Sequence, residues 1–201
     1  MVKKEMQKLI HISTIVILFA FSVFGVSCAD PDSLTNTESP EPVVEAGCDW
    51  SETLPESRPS DFNLVFKYGY GSINKNVLNT FNATYTKDMV VDPSVTIDFS
   101  LSDEDMDRIY QKMVEINFFC YPDEFEIPLP EEGIVGMQTP YQGYDFMVEC
   151  DNKVKIVQWE DKITNKNEDA DKLRTLISLI RSIIRSKDEY WELPAPRGAY
   201  L

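Results

Sequence analysis

The sequence predicts an α+β fold: an antiparallel sheet of about five strands with two helices on one face, a two-layer sandwich in the order βββ-α-ββ-α. Three observations predict it. Apolar and polar residues alternate at period two in separate stretches between Phe62 and Trp159. Two other stretches, near 103–114 and 168–184, carry apolar stripes at helical spacing. Each of these segments is apolar on one side only, and helices laid on one face of a sheet bury all of those sides together.

The first strand places Phe62, Leu64, Phe66, Tyr68 and Tyr70 against Asn63, Val65, Lys67 and Gly69. Residues 71–76, GSINKN, are turn material. A second strand runs over about Leu78 to Thr86, with Phe81, Ala83 and Tyr85 on one side, and Asp92-Pro93 breaks the chain. Val95, Ile97, Phe99 and Leu101 alternate as the third strand. Ser102 then caps a helix: Ser102 with Asp105 makes a capping box, and Asp103 and Glu104 suit the positive helix start. Its stripe is Met106, Ile109, Tyr110, Met113 and Val114.

An irregular stretch follows from Phe119, with Pro122, Pro128, Pro130 and Pro140 and several acids, long enough to be a functional loop. Tyr144, Phe146, Val148 and Cys150 form the fourth strand, Asp151-Asn152 is a hairpin turn, and Val154 to Trp159 return as the fifth. The last helix starts near Glu168 and carries Leu173, Leu176, Ile177, Ile180, Ile183 and Ile184. Arg181, Arg185 and Lys187 suit its negative end. The domain of residues 61–201 should bury roughly two-thirds of its extended surface, enough for a core.

Ahead of this domain, Lys3, Lys4 and Lys8 precede a run of 18 residues, Leu9 to Val26, interrupted by His11, Ser13, Thr14 and Ser22. A basic start, a short apolar run and a small-residue exit describe a secretory signal. Length alone also admits a thin membrane span, which needs roughly 17–25 residues. The exit, Phe24-Gly25-Val26-Ser27-Cys28, resembles the lipobox of bacterial lipoproteins, with Gly25 departing from the usual leucine. The resemblance implies that residues 1–27 are a signal peptide, that Cys28 receives a diacylglyceryl group, and that cleavage makes it the first residue. Two acyl chains hold a protein stably where one is marginal. Residues 28–60 then read as an acidic, proline-rich tether: from Ala29 on they hold five prolines, eight acids and one arginine. Thirty-two flexible residues span roughly 30 Å.

Removing 1–27, with its three lysines and one glutamate, leaves 16 Lys and Arg against 33 Asp and Glu, a net charge near −17. Such a surface repels phosphate backbones, so nucleic acid is no partner. His11, the one histidine, lies in the removed segment. Ser-His-Asp and Cys-His nucleophiles and His-ligated zinc are thereby excluded. Of the remaining cysteines, Cys48, Cys120 and Cys150, an exported chain has room for one disulfide. Cys120–Cys150 is the expected pair, because both lie in the folded part, although spacing alone does not establish it.

Short motifs add little. Ser72-Ile73-Asn74-Lys75 matches S-x-x-K of penicillin-binding enzymes, but it sits in a turn and no K-T-G follows. Tyr68-Gly69-Tyr70-Gly71 is a strand running into a glycine turn. Acids cluster at 103–107, 123–132 and 160–171, without the order of a calcium loop, and helix capping accounts for the first. Tyr68 and Phe118 read as core, while Tyr121 and Tyr141 read equally as core or as part of an exposed binding patch.

The whole chain resembles small lipoproteins of Gram-positive bacteria that carry a lipobox, an acidic tether and one α+β head without an assigned activity. The resemblance implies a lipid anchor at Cys28 on the extracytoplasmic face of the cell membrane and carries over no active site. The expected function is a non-enzymatic binding or interaction domain, with an envelope protein or glycan as partner and neither cofactor nor metal. The alternatives are a small envelope enzyme using Ser72 and Lys75 or carboxylates of the 121–133 loop, and a cation-dependent structural role.

Overall fold

The computed structural model describes Cys48, Trp50 and residues 54–71, 75–130 and 132–200. The expectations for Cys28, for the signal peptide, for most of the tether and for Ser72 lie outside the described residues. The fold is α+β. Seven strands, β1 (Asn63–Tyr70), β2 (Asn76–Asn79), β3 (Thr84–Met89), β4 (Asp92–Asp98), β5 (Glu124–Phe125), β6 (Met137–Cys150) and β7 (Lys153–Ile163), form one mixed sheet. Its order is β4-β3-β2-β1-β6-β7-β5, and all neighbours are antiparallel except β5, which runs parallel to β7. The helices are α1 (Asp103–Glu115), α2 (Glu168–Arg185) and the short α3 (Asp188–Glu192).

Alternation along each strand sets the register, and the register lines up one buried row across the sheet. Tyr85 faces Leu78, Leu78 faces Phe66, Phe66 faces Phe146, and Phe146 faces Val157. All five are buried. They join one apolar core with Ile109, Tyr110 and Met113 of α1 and Leu173, Leu176, Ile177 and Ile180 of α2. Phe66 and Phe146 stack with ring centroids 4.6 Å apart. A one-residue slip would turn the whole row outward, so the pattern specifies the pairing. On the opposite face Lys67, Met147 and Ile156 are exposed.

Two strands and one helix exceed the predicted count. The segment read as one strand from Leu78 to Thr86 is a hairpin: Ala83 takes a positive φ of 51°, the Asn82 amide donates to the Asn79 side chain at 3.2 Å, and Phe81 is left exposed at the bend. The chain after Asp92-Pro93 stays in the sheet as β4, an outermost strand, where a proline costs no ladder hydrogen bond. β5 is a two-residue return of the proline-rich stretch.

The caps are as the residues predict. Ser102 and Asp105 form the reciprocal box at α1, the Asp105 amide donating to the Ser102 hydroxyl and the Ser102 amide to the Asp105 carboxylate, each at 3.2 Å. Asn167 accepts from the Ala170 amide at 2.9 Å at the start of α2. Asp151 and Asn152 both take positive φ at the β6–β7 turn, and both amides donate to the Asp61 carboxylate. Those two bonds, the Asn152 bond first, hold the Asp61 carboxyl below the usual carboxylate range.

Two expectations are corrected. The disulfide joins Cys48 to Cys120, and Cys150 is a free, buried thiol. Cys150 continues the inward series Tyr144, Phe146 and Val148, whereas Cys120 is the exposed last residue of a 3-10 turn, Phe118–Cys120, whose two phenylalanines are buried, so the two cysteines face different surroundings. The predicted tether, moreover, contains residues that belong to the body. Trp50 stacks on Phe119 at 4.9 Å, the Tyr110 hydroxyl donates to the Pro55 carbonyl, and Arg58 pairs with Asp103 and Asp107 at 2.9 and 2.6 Å.

Candidate functional site

The structure scatters the acids and aromatics that the sequence singles out. Lys75 donates to the Tyr200 hydroxyl at 3.3 Å and lies 3.9 Å from Asp88. Asp123 pairs with Lys155 at 2.6 Å, and Arg174 makes a two-pronged bond to Asp161. Glu168 and Asp169 share Lys172. Among the described residues, no three Cys, His, Asp or Glu side chains are placed to hold a metal ion. Tyr68 and Phe118 are buried as expected. Tyr121 is also core, its hydroxyl donating to the Asp169 carbonyl at 2.8 Å, and Tyr141 is half-buried.

A different group does converge. Between β1, β3, the last turns of α2, α3 and the C-terminal segment lies a cavity of about 340 Å³, within the size range of small-molecule sites. Tyr68, Tyr190 and Tyr200 wall it, and Lys87, Arg181 and Arg185 line it. The position of each cation follows from its element. Lys87 sits two residues after Tyr85 on β3 and so shares its inward direction. Arg181 and Arg185 are one helical turn apart at the end of α2.

These cations differ from most basic residues of the described part of the molecule. Ten basic side chains among the described residues pair with carboxylates. Lys87, Arg181 and Arg185 do not, in a chain with acids to spare. Lys87 is only 9 % exposed, and its ammonium lies 4.7 Å from the centre of the Tyr190 ring. Arg181 lies 5.2 Å from the Tyr68 ring centre, and its buried Nε has no hydrogen-bond partner. A cation over a ring gains about 0.5–2 kcal/mol. Taking an ion out of water costs several kcal/mol. The rings therefore compensate Lys87 only in part.

Tyr68 of the lining is bonded to a core tyrosine. The Tyr68 and Tyr85 hydroxyls are 2.7 Å apart and buried. Burial raises the pKa of both, so both stay protonated and able to donate. Burial likewise pushes Tyr144 up to about 12. Asp88, the carboxylate on the lining, is already engaged: it accepts from the Tyr200 hydroxyl at 2.5 Å and from the Val90 amide at 3.0 Å. The C-terminal segment that carries Tyr200 is held by Arg197 on Asp92 and by a parallel bridge from Arg197 to Val90.

A second concavity, about 510 Å³, runs along β5 and β7. Phe125, Ile127, Leu129, Val135, Met137 and Trp159 line it, with Glu124 and Glu126 of the predicted loop beside them. It is the larger of the two, but its one cation, Lys162, pairs with Glu160 at 3.2 Å, and its other charges, Glu124 and Glu126, are exposed carboxylates rather than buried ions. The cationic pocket is therefore the stronger candidate.

Sequence reasoning assigns Arg181 and Arg185 to the helix end and passes over Lys87. The signal for Lys87 is present nonetheless: a lysine at an inward position of a period-two strand. Tyr200 meets Asp88 across 112 residues, and no local pattern announces that contact.

Fold and pocket together define the class, an α+β domain with a cationic, tyrosine-walled cavity. No protein-family model matches the chain, and no curated protein matches it. Among the described residues, no helix is long and apolar enough to cross a membrane.

Proposed function

We propose that the protein is a lipid-anchored binding module on the extracytoplasmic face of a Gram-positive cell membrane, fastened through Cys28, and that its ligand enters the cavity between β3 and the end of α2. The single observation that carries the binding reading is Lys87, buried in a concave wall without an ion-pair partner. The lipobox-like exit at Cys28 supports the anchor, and the Cys48–Cys120 disulfide accords with an oxidising compartment. We read the function as binding rather than catalysis, because the lining combines cations and phenols and, among the described residues, holds no nucleophile beside a free base.

The test uses the full chain expressed in a Gram-positive host. An alkyne fatty acid fed to the cells is expected to label the wild-type protein and not Cys28→Ser. Native mass spectrometry of the wild-type protein is expected to show a small adduct that Lys87→Met loses. An unlabelled wild-type protein would end the anchor reading. An adduct retained by Lys87→Met, or none in the wild type, would end the pocket reading.

A further inference from the structure

Resting on the reading of this cavity as the binding site, we propose that its ligand is a small organic phosphate monoester: a dianionic head between Lys87, Arg181 and Arg185, with the rest of the molecule against the Tyr190 and Tyr200 rings.

Charge carries the choice of head group. Lys87, Arg181 and Arg185 bring three positive charges. Asp88 is matched by Lys75 at 3.9 Å and by the Tyr200 hydroxyl, so it does not cancel them. The end of α2 offsets roughly half a unit charge. About two and a half charges remain, which a dianion nearly neutralises and a single carboxylate leaves more than half unmet. Two guanidinium groups one helical turn apart offer forked donors of the kind that grip phosphate oxygens. Helix-end stabilisation explains basic residues on α2, but Lys87 lies on a strand, where no helix end favours it.

Tyrosines carry the choice of an organic body. The Tyr190 ring is near the Lys87 ammonium, and Tyr200 packs against Tyr70 with centroids 5.5 Å apart, so the walls next to the charges are aromatic faces. Inorganic phosphate would touch the cations and leave those faces bare. A cavity of about 340 Å³ also exceeds what a bare oxyanion fills.

Isothermal titration tests this on the full chain in a non-ionic detergent. Phenyl phosphate is expected to bind and to weaken as salt is raised. Inorganic phosphate and benzoate should each bind at least about 10-fold more weakly, and benzyl alcohol not at all. Lys87→Met should abolish phenyl phosphate binding. Arg185→Gln, at an exposed position that leaves the core intact, should weaken it about 10-fold. Dihexanoyl phosphatidate run in parallel separates the sources: tighter binding than phenyl phosphate assigns the ester to a lipid headgroup, weaker binding to a soluble metabolite. Benzoate binding as tightly as phenyl phosphate would overturn the dianion. Phenyl phosphate failing to bind, or binding Arg185→Gln unchanged, would overturn the proposal. An adduct seen by mass spectrometry alongside such a failure would leave the pocket as a binding site for different chemistry.

Discussion

Asp105 shows how much one side chain settles. It closes the capping box at α1 and accepts from the Lys187 ammonium beyond the end of α2, so it ties the two helices. Burial raises its pKa, but the bonds from Lys187 and Ser102 together outweigh burial and leave it below the usual value. A carboxyl depressed in the folded state contributes fully above its unfolded pKa, about 3.9, and that contribution fades as pH falls through the folded value. Asp105→Ala is therefore expected to cost about 1–3 kcal/mol at pH 7, from the lost cap and ion pair. In urea titrations, the gap between the two proteins should close as pH drops below about 4. The cap half of this was legible, because Ser-x-x-Asp is a local pattern. The Lys187 half was not, because it joins residues 82 apart. Lys87 is the opposite case, readable from strand alternation once its inward direction is given weight.

At the scale of elements, strand alternation and helix stripes gave the buried faces correctly, and local exceptions produced the errors. Nothing in the alternation of Phe81, Ala83 and Tyr85 reveals that Ala83 bends backward into the left-handed region, although Asn79 and Asn82 are turn formers that flank the bend. β5 was unreadable because a two-residue strand has no period, and its partner β7 lies more than 25 residues on. The misassigned disulfide was readable: a cysteine extending an inward series in β6 is a core residue before it is a bridge. The actual bridge closes 72 residues and links the segment before β1 to the 3-10 turn that follows α1. A loop of that length implies stabilisation of up to about 4 kcal/mol. Reduction of the wild type, or Cys48→Ser, should lower unfolding stability by about 2–4 kcal/mol, read from urea midpoints with and without reductant. Residues 54–60 should exchange amide protons faster in the same sample, since their remaining ties include the Arg58 ion pairs, the Tyr110 hydroxyl and the Gln111 side chain but no covalent link.

For the whole molecule, a chain with 34 acids and 19 bases carries a cationic hollow among its described residues, so the field that repels polyanions generally is reversed over a small area. Under the proposed function, long-range repulsion and short-range capture would favour small anions over large ones, a preference that composition could not disclose because only tertiary contacts bring Lys87 to Arg181. The bridge between Cys48 and Cys120 has one more consequence. Cys150 is buried, and burial first, then Asp61 and Asp151, push its thiol up to about 11, which keeps it inert while the fold holds. Unfolded in urea without reductant, polypeptide that has reached the cell exterior should therefore take up a single iodoacetamide among positions 48, 120 and 150, and polypeptide trapped in the cytosol should take up three. Counting alkyl tags by mass thus reads, molecule by molecule, which side of the membrane each copy matured on, like a postmark left by the journey.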